Sequence, residues 1–329
     1  MKEVSFEQVI TEWMEHMLIQ KGQRQRGVEQ YCLVARGFFR WALEADKGGN
    51  PILTSREDVT EWQKALFYDM GNLSNRSRAS KLSAVKSFFQ WMKYAGYRKD
   101  DPTKGIPSPK VQETLPQKFS TEELRLLFRA PDRDTTQGLR DLAILKTLYA
   151  AGPRVSELVN LDMNHCIDTG GYIRLQIIGG KGGKDRTVTM RTNPSRALRE
   201  WLLVRKGIET DTAAVFIRLK KGGRPGRSDR LSDKSYQNIL KKYSRTIGID
   251  DAEVFLHKMR STFATDLYDS GHDKCPRCGH GIQSVGVFEV MALLGHEDPK
   301  TTLGYIAISE RTLRKTAIPD KRFNEIEEG

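Results

Sequence analysis

The run "LLGHEDPKTTLGYIAI" places His296 after an apolar stretch and Tyr305 nine residues beyond it. A phenol can attack a phosphodiester when cations and hydrogen-bond donors hold the phosphate and absorb the developing charge. Donors of that kind stand upstream. In "AGPRVSELVNL", Arg154 follows Gly-Pro at a helix start, where a guanidinium issues from a fixed point beside free helix amides and suits an anion. Glu157, one turn along, shares that face and can orient a neighbour. In "HKMRSTFAT", His257 and Arg260 stand three apart on a helix whose other face carries Phe255, Met259, Phe263 and Leu267, so imidazole and guanidinium share one surface. In "GGKGGKDR", Lys181 sits at a glycine-rich turn that permits close approach to a backbone; no Walker spacing accompanies it. Each residue alone has an ordinary explanation as a core aromatic, a helix end or a solvated loop. Together, two arginines, a lysine, two histidines and a tyrosine supply what a phosphorane needs if a phenol attacks a phosphodiester without a metal.

The elements that position this set are mostly helical. Phe6, Val9, Ile10, Trp13 and Met17 recur at helical spacing behind a Ser5 cap. Further helices run through "VEQYCLVARGFFRWALEA", "SREDVTEWQKALFYD" and "SRASKLSAVKSFFQWMKYAG", so residues 1–102 read as a four-helix domain. The proline-rich segment 103–118 reads as an extended linker, and Ser120 with Glu123 forms a capping box that opens a second domain, 119–329. There "GYIRLQIIGGKGGKDRTVTM" predicts a hairpin, Tyr172–Ile178 against Arg186–Met190, and "AVFIRL" a short strand. Helices resume in "NPSRALREWLLVRKG", "LSDKSYQNILKKYSRTIG", "FLHKMRSTFATDLYDSG" and "GVFEVMALLG". The fold class is mainly α with a small β-sheet.

Lysine and arginine number 54 against 42 acids among 329 residues, and the net charge of +12 points to a polyanionic partner, nucleic acid before others. Arg76, Arg78, Lys81 and Lys86, around the start of the fourth helix, form a face suited to phosphates, or a solvated helix face. No stretch reaches the roughly 20 apolar residues that span a bilayer, and the chain opens without a secretory segment, so a cytoplasmic protein is expected. Of four cysteines, Cys32 and Cys166 read as ordinary buried residues. The other two lie in "HDKCPRCGHGIQS", 272–284, where His272, Cys275, Cys278 and His280 offer soft or borderline ligands: either a structural zinc closes this loop or it is reduced and exposed.

"AGPRVSELVNL", "GGKGGKDRTV", "HKMRSTFAT", "LLGHEDPKTT" and Tyr305 resemble, in order and spacing, the motifs of the tyrosine recombinase (phage integrase) family. The resemblance implies a SAM-like core-binding domain followed by a mostly α catalytic domain of the DNA breaking-rejoining type. It implies that Arg154 and Arg260 clamp the scissile phosphate, that Lys181 is general acid for the departing 5′ hydroxyl, and that His257 and His296 donate to the phosphate or move the phenol proton. Tyr305 would be the nucleophile of a 3′-phosphotyrosyl link, with Glu157 a support. No cofactor is required for such ester exchange. The partners implied are double-stranded DNA with inverted half-sites and further copies of the chain, a dimer on each site and a tetramer in synapsis. In such proteins the tail, here 309–329, often docks on a neighbouring protomer. Insertion, excision or transposition of a mobile element is the expected role, because 272–284 is longer than the short loop usual there. A type IB-like topoisomerase and a non-catalytic DNA-binding regulator are the alternatives.

Overall fold

A computed structural model describes residues 5–71, 73–112, 117–179, 185–219, 225–269, 285–296 and 298–306. The chain divides into two compact units, Met1–Glu113 and Thr114–Gly329.

In the first unit, α1 (Phe6–Glu15) starts where Gln8 N donates to Ser5 Oγ at 3.2 Å, and it continues through a π turn at His16–Gln20. Helix α2 spans Gln25–Glu44, α3 Arg56–Tyr68 and α4 Asn75–Tyr94. A capping box opens α3: Asp58 N donates to Ser55 Oγ at 3.1 Å and Ser55 N to Asp58 Oδ2 at 2.7 Å, satisfying two orphan amides. The apolar stripes expected from helical spacing meet in one core of Trp13, Phe38, Phe39, Trp62, Phe88 and Phe89. Its rings pack edge to face, as Phe38 and Trp62 do at 5.1 Å and 83°, because aromatic quadrupoles disfavour direct stacking.

The proline-rich segment departs from the extended linker expected of it. Ile106 is 4% exposed and joins that core. Lys86 Nζ donates to Ile106 O at 2.5 Å and Asn75 Nδ2 to Lys110 O at 2.7 Å. A single apolar anchor is enough to hold a segment that cannot itself form a helix or a ladder.

In the second unit, the Ser120/Glu123 capping box opens α5 (Thr121–Arg129). Helix α6 (Thr136–Ala151) is buried on most of its circumference and ends at α7 (Val155–Val159) after a break at Gly152. A three-stranded antiparallel sheet follows: β1 (Cys166–Asp168), β2 (Ile173–Ile177) and β3 (Arg186–Met190). Ile173, Leu175, Ile177, Val188 and Met190 face the core with period 2, which is why the hairpin was readable, whereas three residues of β1 carry no such pattern. Of the two described cysteines Cys32 is buried, whereas Cys166, in the short strand β1, is only partly buried against the core, which corrects the expectation of two buried thiols.

Helix α8 (Thr192–Lys206) packs on α6. Strand β4 (Ile217–Leu219) pairs with β5 (Pro225–Arg230), followed by α9 (Asp233–Thr246). The main core includes Trp201, Phe216, Tyr236 and Leu240. Within it Arg140 Nε donates to Asp141 Oδ1 at 2.9 Å, Arg140 Nη1 to Ile217 O at 2.9 Å, and Tyr243 Oη to Asp141 Oδ2 at 2.9 Å. A buried ion pair persists only when its remaining polar sites are bonded in this way.

Helices α10 (Leu256–Asp269), α11 (Val287–Leu294) and α12 (Pro299–Ile306) share a smaller core of Phe263, Ala264, Tyr268, Val290, Leu294 and Ile306. The two-faced reading of α10 needs correction: Phe255 precedes the helix and is 37% exposed, while Lys258 and Arg260 are buried at 4% and 2%. The segment entering α5 explains part of this, since Phe119 N donates to Thr262 Oγ1 at 2.9 Å and Lys258 Nζ lies 4.4 Å from the Phe119 ring centroid. Among the described residues no helix is long and apolar enough to cross a membrane.

Candidate active site

The site begins at the α6–α7 break. Gly152 ends α6 with φ of +54°, and a Cβ there would lie 2.2 Å from Phe263 Cδ1, so only glycine fits. Pro153 then fixes the chain, and Arg154 takes extended geometry at the cap of α7. Arg154 N donates to Glu157 Oε2 at 2.7 Å and its Nη1 to Oε1 at 2.9 Å. A second guanidinium arrives from the first residue of β3: Arg186 Nη1 donates to Oε1 and Nη2 to Oε2, both at 2.7 Å. Burial alone would raise the Glu157 carboxyl, but hydrogen bonds from Arg186 and the Arg154 amide, with the guanidinium charges, hold it at about 2.

The C-terminal end of α11 draws the arginines together. Orphan carbonyls there carry partial negative charge. Arg186 Nε donates to Leu293 O at 2.8 Å, Arg260 Nη2 to Leu294 O, and Arg154 Nη2 to Gly295 O at 2.6 Å. Arg260 Nη1 also reaches Gly152 O, which joins the end of α6 to the end of α11.

His296 follows at once. Its Nε2 lies 3.2 Å from Arg260 Nη2 and its Nδ1 2.8 Å from Thr302 Oγ1. A guanidinium only donates, so Nε2 accepts and the ring proton resides on Nδ1, facing Thr302, which is fully buried on α12. His257 is exposed, one turn of α10 before Arg260. Partial enclosure, then the charges of Arg260 and Arg154, push its imidazole below the ordinary histidine value and favour the neutral ring at neutral pH.

The structure thus brings Arg154, Glu157, Arg260 and His296 together through direct bonds or shared partners. Tyr305 lies on α12, three residues after Thr302 and next to Ile306, whose side chain is buried in the α10–α12 core. Lys181 lies outside the described residues, although the strands flanking its turn pair from Ile173↔Met190 to Ile177↔Arg186. His272, Cys275, Cys278 and His280, with the insert 272–284 and the tail 309–329, also lie outside them. Among the described residues no group of three or more His, Cys, Asp or Glu could hold a metal ion.

On α4, Arg76 is exposed, whereas Arg78 donates to Asn75 Oδ1 at 2.7 Å and stacks 4.7 Å over Phe67. Lys86 is turned to Ile106 O, so the four basic positions do not form one open face.

Sequence reasoning missed Arg186 and Thr302. For the first, Glu157 carried only a hint: a carboxylate accepts more bonds than the two that Arg154 gives it, but the fold alone fixes which residue completes the set. Thr302 carries no such signal, because its partner is fixed only once α12 folds against α10 and α11.

Residues 117–311 match the phage integrase family and residues 10–96 its N-terminal SAM-like domain. The tyrosine recombinase XerD of Xanthomonas axonopodis pv. citri is 30% identical over 314 residues, which cover 93% of this chain and 95% of that protein. XerD of Vibrio cholerae is 31% identical over 93% of this chain and 94% of its own. In fold, the chain is similar to the XerH site-specific recombinase, with a TM-score of 0.69 at 19% identity over 94% of this chain and 83% of that one. The chain belongs to the phage integrase family, as a tyrosine recombinase that cleaves and rejoins DNA in site-specific recombination.

Proposed function

We propose that Tyr305 is the nucleophile and that Arg154, Lys181, His257, Arg260 and His296 act on the same phosphate. The observation that carries this reading is the convergence of Arg154 and Arg260 on consecutive carbonyls, Leu294 and Gly295, at the helix end that presents His296. In cleavage the Tyr305 oxygen bonds to phosphorus, the bond to the 5′ oxygen breaks, and a 3′-phosphotyrosyl ester forms. Neutral His257 accepts the phenol proton and Lys181 gives one to the leaving 5′ oxygen. Arg154 and Arg260 neutralise the charge gained on the non-bridging oxygens, and His296, against Arg260 and Thr302, holds its place beside them. In rejoining, a second strand's 5′ hydroxyl displaces Tyr305 and the protons return, so the exchange conserves phosphodiester energy and needs no cofactor.

A nicked duplex that releases the short strand beyond the scissile phosphate traps the covalent adduct. Peptide mapping should find the DNA on Tyr305, and Tyr305→Phe should bind DNA yet give no adduct. Attachment to any other residue would overturn the assignment.

The partners in this reading are double-stranded DNA with inverted half-sites and other copies of the chain, one dimer per site and a tetramer in synapsis. Support comes from solved relatives: XerH bound to a palindromic difH substrate, and lambda integrase as a dimer on a core site and a tetramer on a Holliday junction. The enzyme acts in the cytoplasm. The insert 272–284 favours integration, excision or transposition of a mobile element as its role. His272, Cys275, Cys278 and His280 would hold one structural zinc there, a proposal supported by their spacing and tested by the metal content of the purified protein.

A further inference from the structure

Arg186 lies in "GGKGGKDRTV" but has no part among the residues proposed to bind the phosphate, yet its guanidinium makes three hydrogen bonds within the site. It grips both oxygens of Glu157 and the Leu293 carbonyl, committing three of its five donors to the protein itself. Its side chain is 11% exposed and that of Glu157 4%, so solvent screens the pair little. The grip spans three elements, because Arg186 is on β3, Glu157 on α7 and Leu293 on α11. Glu157 in turn holds Arg154, and Leu293 lies three residues before His296. A Cβ built on Gly295 would lie 3.3 Å from Arg186 Nη1 and 3.5 Å from Arg154 Nη1, so both guanidinium groups lie against the backbone immediately before His296.

We propose that Arg186 is a positioning residue for strand cleavage: it sets the separation between Arg154 and His296 by pinning Glu157 and the last turn of α11 to strand β3. The inference rests on the reading that Arg154 and His296 bind the scissile phosphate. Arg186 acts through those groups and takes no phosphate oxygen of its own. Lysine cannot replace it, since one ammonium cannot fork onto both carboxylate oxygens and also reach a carbonyl on the far side.

The test uses the full chain with the nicked trapping duplex, comparing wild type, Arg186→Lys, Arg186→Ala, Glu157→Gln and the Arg186→Lys/Glu157→Gln pair. Four quantities are read: DNA affinity, the rate constant of adduct formation at saturating DNA, the final adduct amplitude and the melting temperature. Arg186→Lys should lower the rate constant by about 10²-fold, the scale of an ångström-level misplacement, with DNA affinity unchanged. The paired variant should be no slower than the slower single variant, because both substitutions open one clamp.

A merely structural role would lower melting temperature and amplitude and leave the rate constant of the surviving molecules unchanged, which overturns the proposal. A loss of affinity matching the loss of rate would make Arg186 a phosphate ligand and overturn it equally. Should Arg186→Ala fail to fold, Arg186→Lys, which keeps the charge and stem, decides. If wild type forms no adduct on Tyr305, the functional reading falls and this inference with it; if wild type reacts and Arg186→Lys reacts as fast, this inference alone falls.

Discussion

Glu157 ties the chemistry of the site to the stability of the fold. Its carboxyl stands at about 2 in the folded chain against 4.5 for an unhindered glutamate. A depressed carboxyl contributes stability that is present above the unfolded value and is lost as pH falls through the folded one, here between about 4.5 and 2. The span corresponds to about 3 kcal/mol. We therefore expect Glu157→Gln to destabilise the second unit by about 3 kcal/mol at neutral pH, in line with the loss of one partner from a buried pair. Urea unfolding across pH should show the wild-type and variant curves converging as pH approaches 2; curves that stay parallel would refute the linkage. Arg154, Glu157, Arg260 and His296 were singled out from residue type, local spacing and the order of the family's motifs, and the fold brings the four together. Arg186 and Thr302 were not, since each is defined by a partner that only tertiary packing supplies.

At the scale of elements, helix ends organise this protein more than helix faces do. Three carbonyls at the end of α11 and one at the end of α6 accept the site's arginines, so the same bonds that finish those helices fix the guanidinium positions. Gly152 is where this is most exposed to mutation. Alanine there would hold an unfavourable φ of +54° and drive its Cβ to 2.2 Å from the Phe263 ring, which must shift in a packed core. We expect Gly152→Ala to cost about 2 to 5 kcal/mol, the sum of a left-handed residue and an overpacked one. Gly248→Ala is the control: its φ is +82° but nothing lies within 4 Å, so only the backbone cost of about 1 kcal/mol applies. Equal losses in the two variants, measured by thermal unfolding, would show that the Phe263 contact carries no weight. Long periodic helices and the β2–β3 hairpin were legible because period 3.6 and period 2 survive in the sequence. Strand β5 was not: "PGRSDR" has no strand propensity, and Arg230 at its end is held by Val159 O at 2.7 Å and Asp162 Oδ1 at 2.6 Å.

For the whole molecule, the excess of 54 basic over 42 acidic residues gives a net positive field that attracts DNA. The sign of that field was legible in the sequence, but not which lysines and arginines face outward, because a basic side chain can serve a carbonyl as readily as a phosphate. Arg76 and Lys86 separate the two cases. Arg76 is exposed at the start of α4, beside the positive end of the helix dipole, whereas Lys86 is bonded to the backbone of Ile106. Affinity for duplex DNA should fall steeply with salt, by roughly 10³- to 10⁵-fold between 50 and 200 mM for about 6 to 10 phosphate contacts. Arg76→Ala should reduce the slope of log affinity against log salt by about 1 and leave adduct formation at saturating DNA unchanged. Lys86→Ala should leave that slope unchanged and lower the melting temperature of the first unit, since what it removes is the tie between α4 and the segment that carries Ile106. A slope change for Lys86→Ala equal to that for Arg76→Ala would mean that Lys86 leaves Ile106 for phosphate when DNA binds.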